Sequence, residues 1–332
     1  MSTTPRRRST DNAERYDVVG FSTIVVDQLA IVPRYPAPDE KMGADSILLQ
    51  PGGPVPTALA LLSRMGRSTA FCGLVGDDYW GDWLSQILQQ RKIDAQRLVR
   101  VPSARTPLAQ ICSEHSSGTR TVLHDEGMLP ALELRHFALA DQQGSISQRA
   151  SDILDSLPAA RCIHVDGREH EIMPRILEEY RRRESLVCID CGTFRRRTLE
   201  LLPLADCIIM PAGFAHSVFG NRPLERLVAD CHDAWLSASR IVITDGVRGS
   251  AGWSDGEIVL QGAWPVTTLD SCGAGDIHTG AFIHATLEGM SLAASLAFSA
   301  AAAALKCTVP GNGSSPESAA AVFHFLDTQA AD

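Results

Sequence analysis

The residues best suited to chemistry lie in "LDSCGAGDIHTGAF", Leu269 to Phe282, where Gly273, Ala274 and Gly275 directly precede Asp276. This is not a P-loop. Gly275 and Gly280 have the glycine spacing of one, but Ala281 and Phe282 stand where Lys and Ser or Thr are required. Nor is it a dinucleotide fingerprint, because His278 replaces the third glycine of G-x-G-x-x-G. Beyond Asp276, the apolar residues Ile277, Ala281 and Ala285 recur at helical spacing, so the small residues open a helix. The first N–H groups of a helix lack backbone partners and the helix dipole adds positive potential, so such an end binds anions, phosphate above all. An acid in that turn would repel the phosphate unless it had another task. Accepting the proton of a hydroxyl that attacks the phosphate is such a task. The same residues taken alone also fit a capped helix with a surface Asp. Close approach of backbone to phosphate asks for glycine, with positive φ, at Gly275.

The elements that must position this turn belong to a chain of 332 residues, 45% hydrophobic, enough for one large α/β domain or two smaller ones. A net charge of −9 without a basic stripe argues against nucleic acid as a partner. No apolar run reaches the roughly 18 residues of a membrane span. The richest, "SLAASLAFSAAAAALKC", suits a buried, closely packed helix. The opening "MSTTPRRRSTDNAER" has no apolar core for a signal peptide and reads as a disordered leader, residues 1–15, ahead of a domain over 16–330. Nine cysteines are scattered, and the single C-x-x-C pair, Cys188 and Cys191, lacks the second pair of a zinc ribbon. Reduced, buried thiols in a cytoplasmic protein without a metal site are the expectation.

Short apolar runs ending in small or polar residues recur: "DVVGFST", "TAFCGLVG", "CIHVDG", "LVCIDCG", "CIIMPAG" and "IVITDG". Amphipathic stretches such as "PTALALLSRMG", "WGDWLSQILQQRK", "MPRILEEYRRR" and "PLERLVADCHDAWLSA" separate most of them. Strands alternating with helices predict a mainly parallel sheet covered on both faces, with ligands beyond the carboxyl ends of the strands. Two segments, about 28–51 and 105–126, alternate like strands with no helix between them and predict a lid.

In chain order "QPGGPVPTALALLSRMG", "IHVDGREHE", "ITDGVRGSAGW", "DSCGAGD" and "AAAALKCTVPGNGSSP" resemble the PfkB, or ribokinase-like, family of sugar kinases over residues 16 to 328. "DSCGAGD" is similar to its D-T-x-G-A-G-D signature, with Ser271 for Thr. The resemblance implies a three-layer α/β/α domain with a small β-strand lid, and an enzyme using ATP and Mg²⁺, with a monovalent cation such as K⁺ as a further cofactor. It implies Asp276 as general base and the amides of Gly273, Ala274 and Gly275 as anion hole. Asp27, Asp39, Gly53 and Thr57 would meet the sugar; carboxylates suit a polyol because each accepts several hydroxyl hydrogen bonds. Thr244, Gly246 and Gly249 would cradle ATP, with Ala300, Gly311 and Asn312 near the adenine. The lid would also support a homodimer.

Thr57 stands where the family usually has Asn, and "MPAGF" where it often has N-x-x-E, so magnesium would arrive mainly with ATP. "GTRTVLHDEGMLP" and "IHVDGREHE" resemble the ketohexokinase branch, whereas "GGPVPTA" and "AALKCTVPG" resemble bacterial sulfofructose kinases. Both imply a ketohexose-type substrate. Lys41 and Arg168 fall where the second branch meets a sulfonate, so an anionic sugar such as 6-deoxy-6-sulfofructose is the alternative. Ribose or a nucleoside is less favoured, and a non-catalytic sugar or nucleotide sensor is less favoured again. Cys272, at a helix start, is read as a tolerated small residue rather than a nucleophile. His164 and Asp166 are read as rim or core groups.

Overall fold

The computed structural model describes residues 15–114, 119–138, 149–168, 171–313 and 315–329; most of the expected leader, residues 1–14, lies outside them. Strands are β1 (Tyr16–Phe21), β2 (Val25–Val32), β3 (Ser46–Gly52), β4 (Thr69–Gly76), β5 (Ile93–Val101), β6 (Leu108–Glu114), β7 (Arg120–Asp125), β8 (Ala160–Val165), β9 (Leu186–Asp190), β10 (Cys207–Pro211), β11 (Arg240–Thr244), β12 (Ser250–Ser254) and β13 (Glu257–Gln261). Helices are α1 (Pro54–Arg64), α2 (Tyr79–Gln90), α3 (Ala150–Asp155), α4 (Met173–Arg182), α5 (Thr198–Leu201), α6 (Ala212–Phe219), α7 (Leu224–Ala234), α8 (Ala274–Leu287), α9 (Leu292–Cys307) and α10 (Ala319–Gln329).

The main sheet runs β13-β12-β11-β10-β9-β8-β1-β4-β5. It is parallel from β11 to β5, with β12 and β13 as an antiparallel hairpin at one edge. All six apolar runs named above form its inner strands. Successive side chains of a strand face opposite layers, which is why these runs are continuously apolar. Val19, Ile163, Ile189, Ile208 and Ile241 join one core with α4 and α7, while their neighbours Val18, Cys162, Cys188, Ile209 and Val242 join another with α1, α2 and α8. The three layers form a ribokinase-like α/β fold.

A second sheet, β3-β2-β6-β7, carries the two irregular segments. Register places Gln50, Asp27, Ala109 and His124 in one cross-strand row, and Leu48, Leu29, Ile111 and Val122 in the next row on the same face. Leu29 and Ile111 pack with Leu48 and Cys272, so this face covers the turn that opens α8. The opposite face aligns Leu49, Gln28, Gln110 and Leu123.

Helix α8 is apolar almost all round and is buried on every side from Ile277 to Ala285. Its partner α1 begins with prolines, which suit a helix start because no N–H is needed there. The two helices touch at backbone level: a Cβ on Gly280 would stand 3.0 Å from the carbonyl oxygen of Ala58. Overpacking there would cost about 1–3 kcal/mol. Among the described residues no helix is long and apolar enough to cross a membrane. All nine cysteines are free, Cys188 and Cys191 included.

Candidate active site

Gly273 caps α8 in the left-handed conformation, φ 81°, and Ala274 and Gly275 follow as its first residues. The positive φ expected at Gly275 falls at Gly273 instead. The reason is local: the chain reverses into the helix at the cap, and Gly275 is already helical. A Cβ on Gly275 would meet no atom within 4 Å, and the residue is exposed, so the first turn of α8 has open space beside it. A Cβ on Gly273 would lie 3.3 Å from the Cβ of Asn312, 3.7 Å from Cγ2 of Thr57 and 3.9 Å from Oδ2 of Asp276. The structure therefore gathers Gly273, Asp276, Thr57 and Asn312 around one point.

Asp276 stands half-buried at the start of α8. Burial pushes its pKa from 3.8 up to about 8; the charges of Asp190, Asp27 and Asp166 push the same way and Arg120 opposes them. Asp190, at the carboxyl end of β9, is raised to about 6, chiefly by burial. It is held by Thr279 Oγ1, which donates to Oδ2 at 2.7 Å, and by the amide of Gly192 at 3.2 Å. Asp27, on the inner face of the second sheet, is raised by burial to about 7, with Arg120 again opposing. Its carboxyl occupies the space beside Gly52, where a Cβ would stand 2.2 Å from it. A base whose pKa lies near working pH can both take and release a proton, so the cluster is suited to proton transfer next to an anion site.

The other expected residues divide. Gly53, φ 104°, caps α1 and brings that helix start towards the same point. Thr57 is buried, and its hydroxyl accepts a hydrogen bond from Asn312 Nδ2 at 3.0 Å. That same Nδ2 donates to the carbonyl of Pro51 at 3.2 Å, and the Asn312 amide N–H donates to Gln50 Oε1 at 2.8 Å. Asn312 thus ties the second sheet to α1. Gly311, φ 71°, leaves room for Gln50, whose Oε1 would stand 2.6 Å from an added Cβ. Arg168 follows β8 and pairs with Asp166, Nε to Oδ2, at 3.0 Å. Asp166 also accepts from Ser22 Oγ at 2.6 Å. Asp39 and Lys41 are exposed in the connection between β2 and β3.

On the nucleotide side, Thr244 ends β11, and Gly246 and Gly249 have φ of 55° and 93°. A Cβ on Gly249 would collide with the carbonyl of Gln261 at 2.1 Å, so this turn and β13 need that glycine. Ala300 lies on α9, half-buried. A cleft of about 530 Å³ lined by His216, Arg222, Asp245 and Arg248 opens beside this turn and does not reach Asp276. Burial pushes the Cys272 thiol up to about 12, which leaves it unsuited to nucleophilic attack.

Asp190 and Arg120 were not singled out from sequence. Asp190 is one of several strand-end acids, and its tie to Thr279 spans 89 positions. Arg120 stands in the quoted "GTRTVL", but its direction depends on strand register. Among the described residues no group of three His, Cys, Asp or Glu side chains is placed to hold a metal ion.

Comparison with known proteins shows the family. The description of the pfkB family carbohydrate kinase matches residues 17–319. Ketohexokinase of Mus musculus is 22% identical over 308 residues, covering 90% of this chain and 98% of its own. Ribokinase of Haemophilus influenzae is 24% identical over 315 residues, covering 92% and 97%. The structure of Arabidopsis thaliana ribokinase complexed with ribose and ATP aligns with a TM-score of 0.74 at 23% identity, covering 94% of this chain and 99% of that one. The chain belongs to the pfkB family of carbohydrate kinases. Its reaction is therefore ATP-dependent phosphoryl transfer to a hydroxyl.

Proposed function

We propose that the protein phosphorylates a hydroxyl of a neutral ketohexose-type sugar. The observation that carries this reading is the placement of Asp276, half-buried in the first turn of α8 beside Asp190 and Asp27, directly after Gly275, whose surroundings are open. The sugar hydroxyl gives its proton to the Asp276 carboxylate. Its oxygen attacks the γ-phosphorus of ATP, the bond from that phosphorus to the β–γ bridging oxygen breaks, and ADP leaves. The amides of Gly273, Ala274 and Gly275 hold the equatorial oxygens as charge develops. Magnesium, carried in by the phosphates of ATP, would neutralise that charge. Arg120, on the same face of the second sheet as Asp27, adds positive charge that acts on Asp276 and Asp27.

Asp27, on the inner face of the second sheet, supports binding of a polyol there: a desolvated carboxylate accepts hydroxyl hydrogen bonds strongly. The pairing of Arg168 with Asp166 and the exposure of Lys41 favour a neutral over an anionic sugar, because neither cation stands free in a dry pocket. The outer row of the second sheet, with Leu49 and Leu123 exposed, supports a homodimer.

The test is a coupled ADP-release assay with fructose, ribose, a nucleoside, fructose 6-phosphate and 6-deoxy-6-sulfofructose. We expect the highest kcat/KM with a neutral ketohexose. A preference for an anionic sugar, eroded by Lys41→Ala and Arg168→Ala, would establish the sulfonate or phosphate alternative instead. ADP release with no member of the panel would remove the ketohexose reading.

A further inference from the structure

Directly behind the anion-hole turn lies a charge pair that the proposed reaction does not use. Lys306, in the last turn of α9, donates from Nζ to the carbonyl oxygen of Asp270 at 2.6 Å and to its carboxylate Oδ2 at 2.9 Å. Both side chains are 0% exposed. A lysine is almost never buried so completely unless its charge is paired, because desolvating an ammonium is costly.

The pair is wired into the turn. Asp270 Oδ1 accepts from the amide of Cys272 at 2.9 Å, one residue before the left-handed Gly273. Oδ2 also accepts from the amide of Gly311 at 2.9 Å. The amide of Leu269 donates to the carbonyl of Cys307 at 2.8 Å, docking the turn on the carboxyl end of α9. That helix end carries partial negative charge, which the ammonium complements.

A monovalent cation is among the cofactors that the family resemblance implies. The donor set behind this turn does not fit one. Its one buried carboxylate already takes two amides and an ammonium, and the neighbouring carbonyl takes the same ammonium. A second cation would be repelled by the first. We infer that Lys306 is a built-in monovalent cation: its ammonium holds Asp270, and through it the Cys272–Gly273 turn, so that turnover needs no alkali-metal ion. Lys306 is a positioning residue, acting through Asp270 on the amides that meet phosphate. The inference rests on the reading of Gly273–Asp276 as the phosphoryl site.

The experiment compares purified wild type in KCl, NaCl and tetramethylammonium chloride at equal ionic strength, reading kcat, KM and Tm. We expect wild-type kcat to agree across the three salts within about twofold. Lys306→Ala should lose at least about tenfold in kcat with a smaller change in KM, and should recover part of it with K⁺ or methylammonium, each of which should also raise its Tm above the tetramethylammonium value. Saturable activation of wild type by K⁺ or Na⁺ of about tenfold or more would overturn the inference. Wild-type kcat in Lys306→Met with only a lowered Tm would overturn it too, since that marks a purely structural pair. Should the variants not fold, the wild-type salt series still decides. A wild type inactive on every sugar would defeat the phosphoryl-site reading, whereas its Tm in the three salts tests the ion requirement separately.

Discussion

The hydroxyl of Thr279 donates to Asp190 at 2.7 Å one helical turn beyond Asp276, which sets a second buried carboxylate against the proposed base. Residues three apart share a helix face, so the hydrogen bond that orients Asp190 also directs its charge at Asp276. Two like charges held close together cannot both ionise easily, and the proton is held more tightly than by either acid alone.

The base itself is the first test. Asp276→Asn keeps the shape of the side chain and removes its capacity to take a proton. We expect kcat to fall by roughly 10²- to 10⁴-fold with ATP affinity nearly unchanged. A near-wild-type kcat would remove Asp276 from the mechanism.

A second prediction concerns pH and rate. Asp276 must be ionised to act, so activity rises with pH along an acid limb. Because its pKa is raised from 3.8 to about 8, that limb should lie near neutrality, well above the ordinary carboxylate range. Asp190→Asn removes a like charge while leaving an oxygen for Thr279, so the limb should move to lower pH. A limb that stays in place, measured as kcat/KM across pH 5–9, would show that Asp190 does not act on the base.

Stability should run the other way with pH. The folded protein holds protons on Asp276 and Asp27 up to about 8 and 7, whereas the unfolded chain releases them near 3.8. The native state thus binds more protons, and stability falls as pH rises through that window. Thermal melting of unliganded protein should show Tm dropping between pH 5 and pH 8.5, with a shallower drop in Asp276→Asn. An equal slope in both proteins would contradict the raised pKa.

Gly273 and Gly275 should separate fold from chemistry. Gly273→Ala forces a side chain into left-handed backbone against Asn312, costing about 1–3 kcal/mol, so it should lower Tm. A Cβ at Gly275 meets no protein atom, so Gly275→Val should leave Tm nearly unchanged and reduce kcat by filling the proposed anion space. Paired Tm and kcat measurements distinguish the two; the same profile from both variants would refute the division.

The alternation of strands with helices and the mainly parallel sheet could be read from continuous apolar runs, because inner strands are buried on both faces. Strands β5 and β13 were harder. "IDAQRLVRV" and "EIVLQ" lie at the sheet edges, where half the side chains meet water and the apolar signal weakens. The start of α8 was legible because glycines, an acid and a helical period coincide within a few residues. Its partners were not. Asp190, Arg120 and Lys306 gain their significance from residues far away in sequence, and each looks locally like an ordinary strand-end acid, strand cation or helix-end lysine. Asn312 shows the same limit from the other side. The resemblance sets its "TVPGNG" loop beside the adenine, and nothing in the sequence signals that its side-chain amide donates to Pro51 and Thr57.

The contact of Gly280 with the backbone of Ala58 has a mechanical consequence. Gly53 caps helix α1 and Gly273 caps helix α8, and the two helices meet at backbone level at Gly280 and Ala58 while Leu59, Leu61, Ile277 and Phe282 join shared cores around that point. Such a joint leaves little room to slide. With α1 and α8 held together, any closure over the proposed site would fall to the four-stranded sheet, which joins the body before β2, after β3 at Gly53 and before β6.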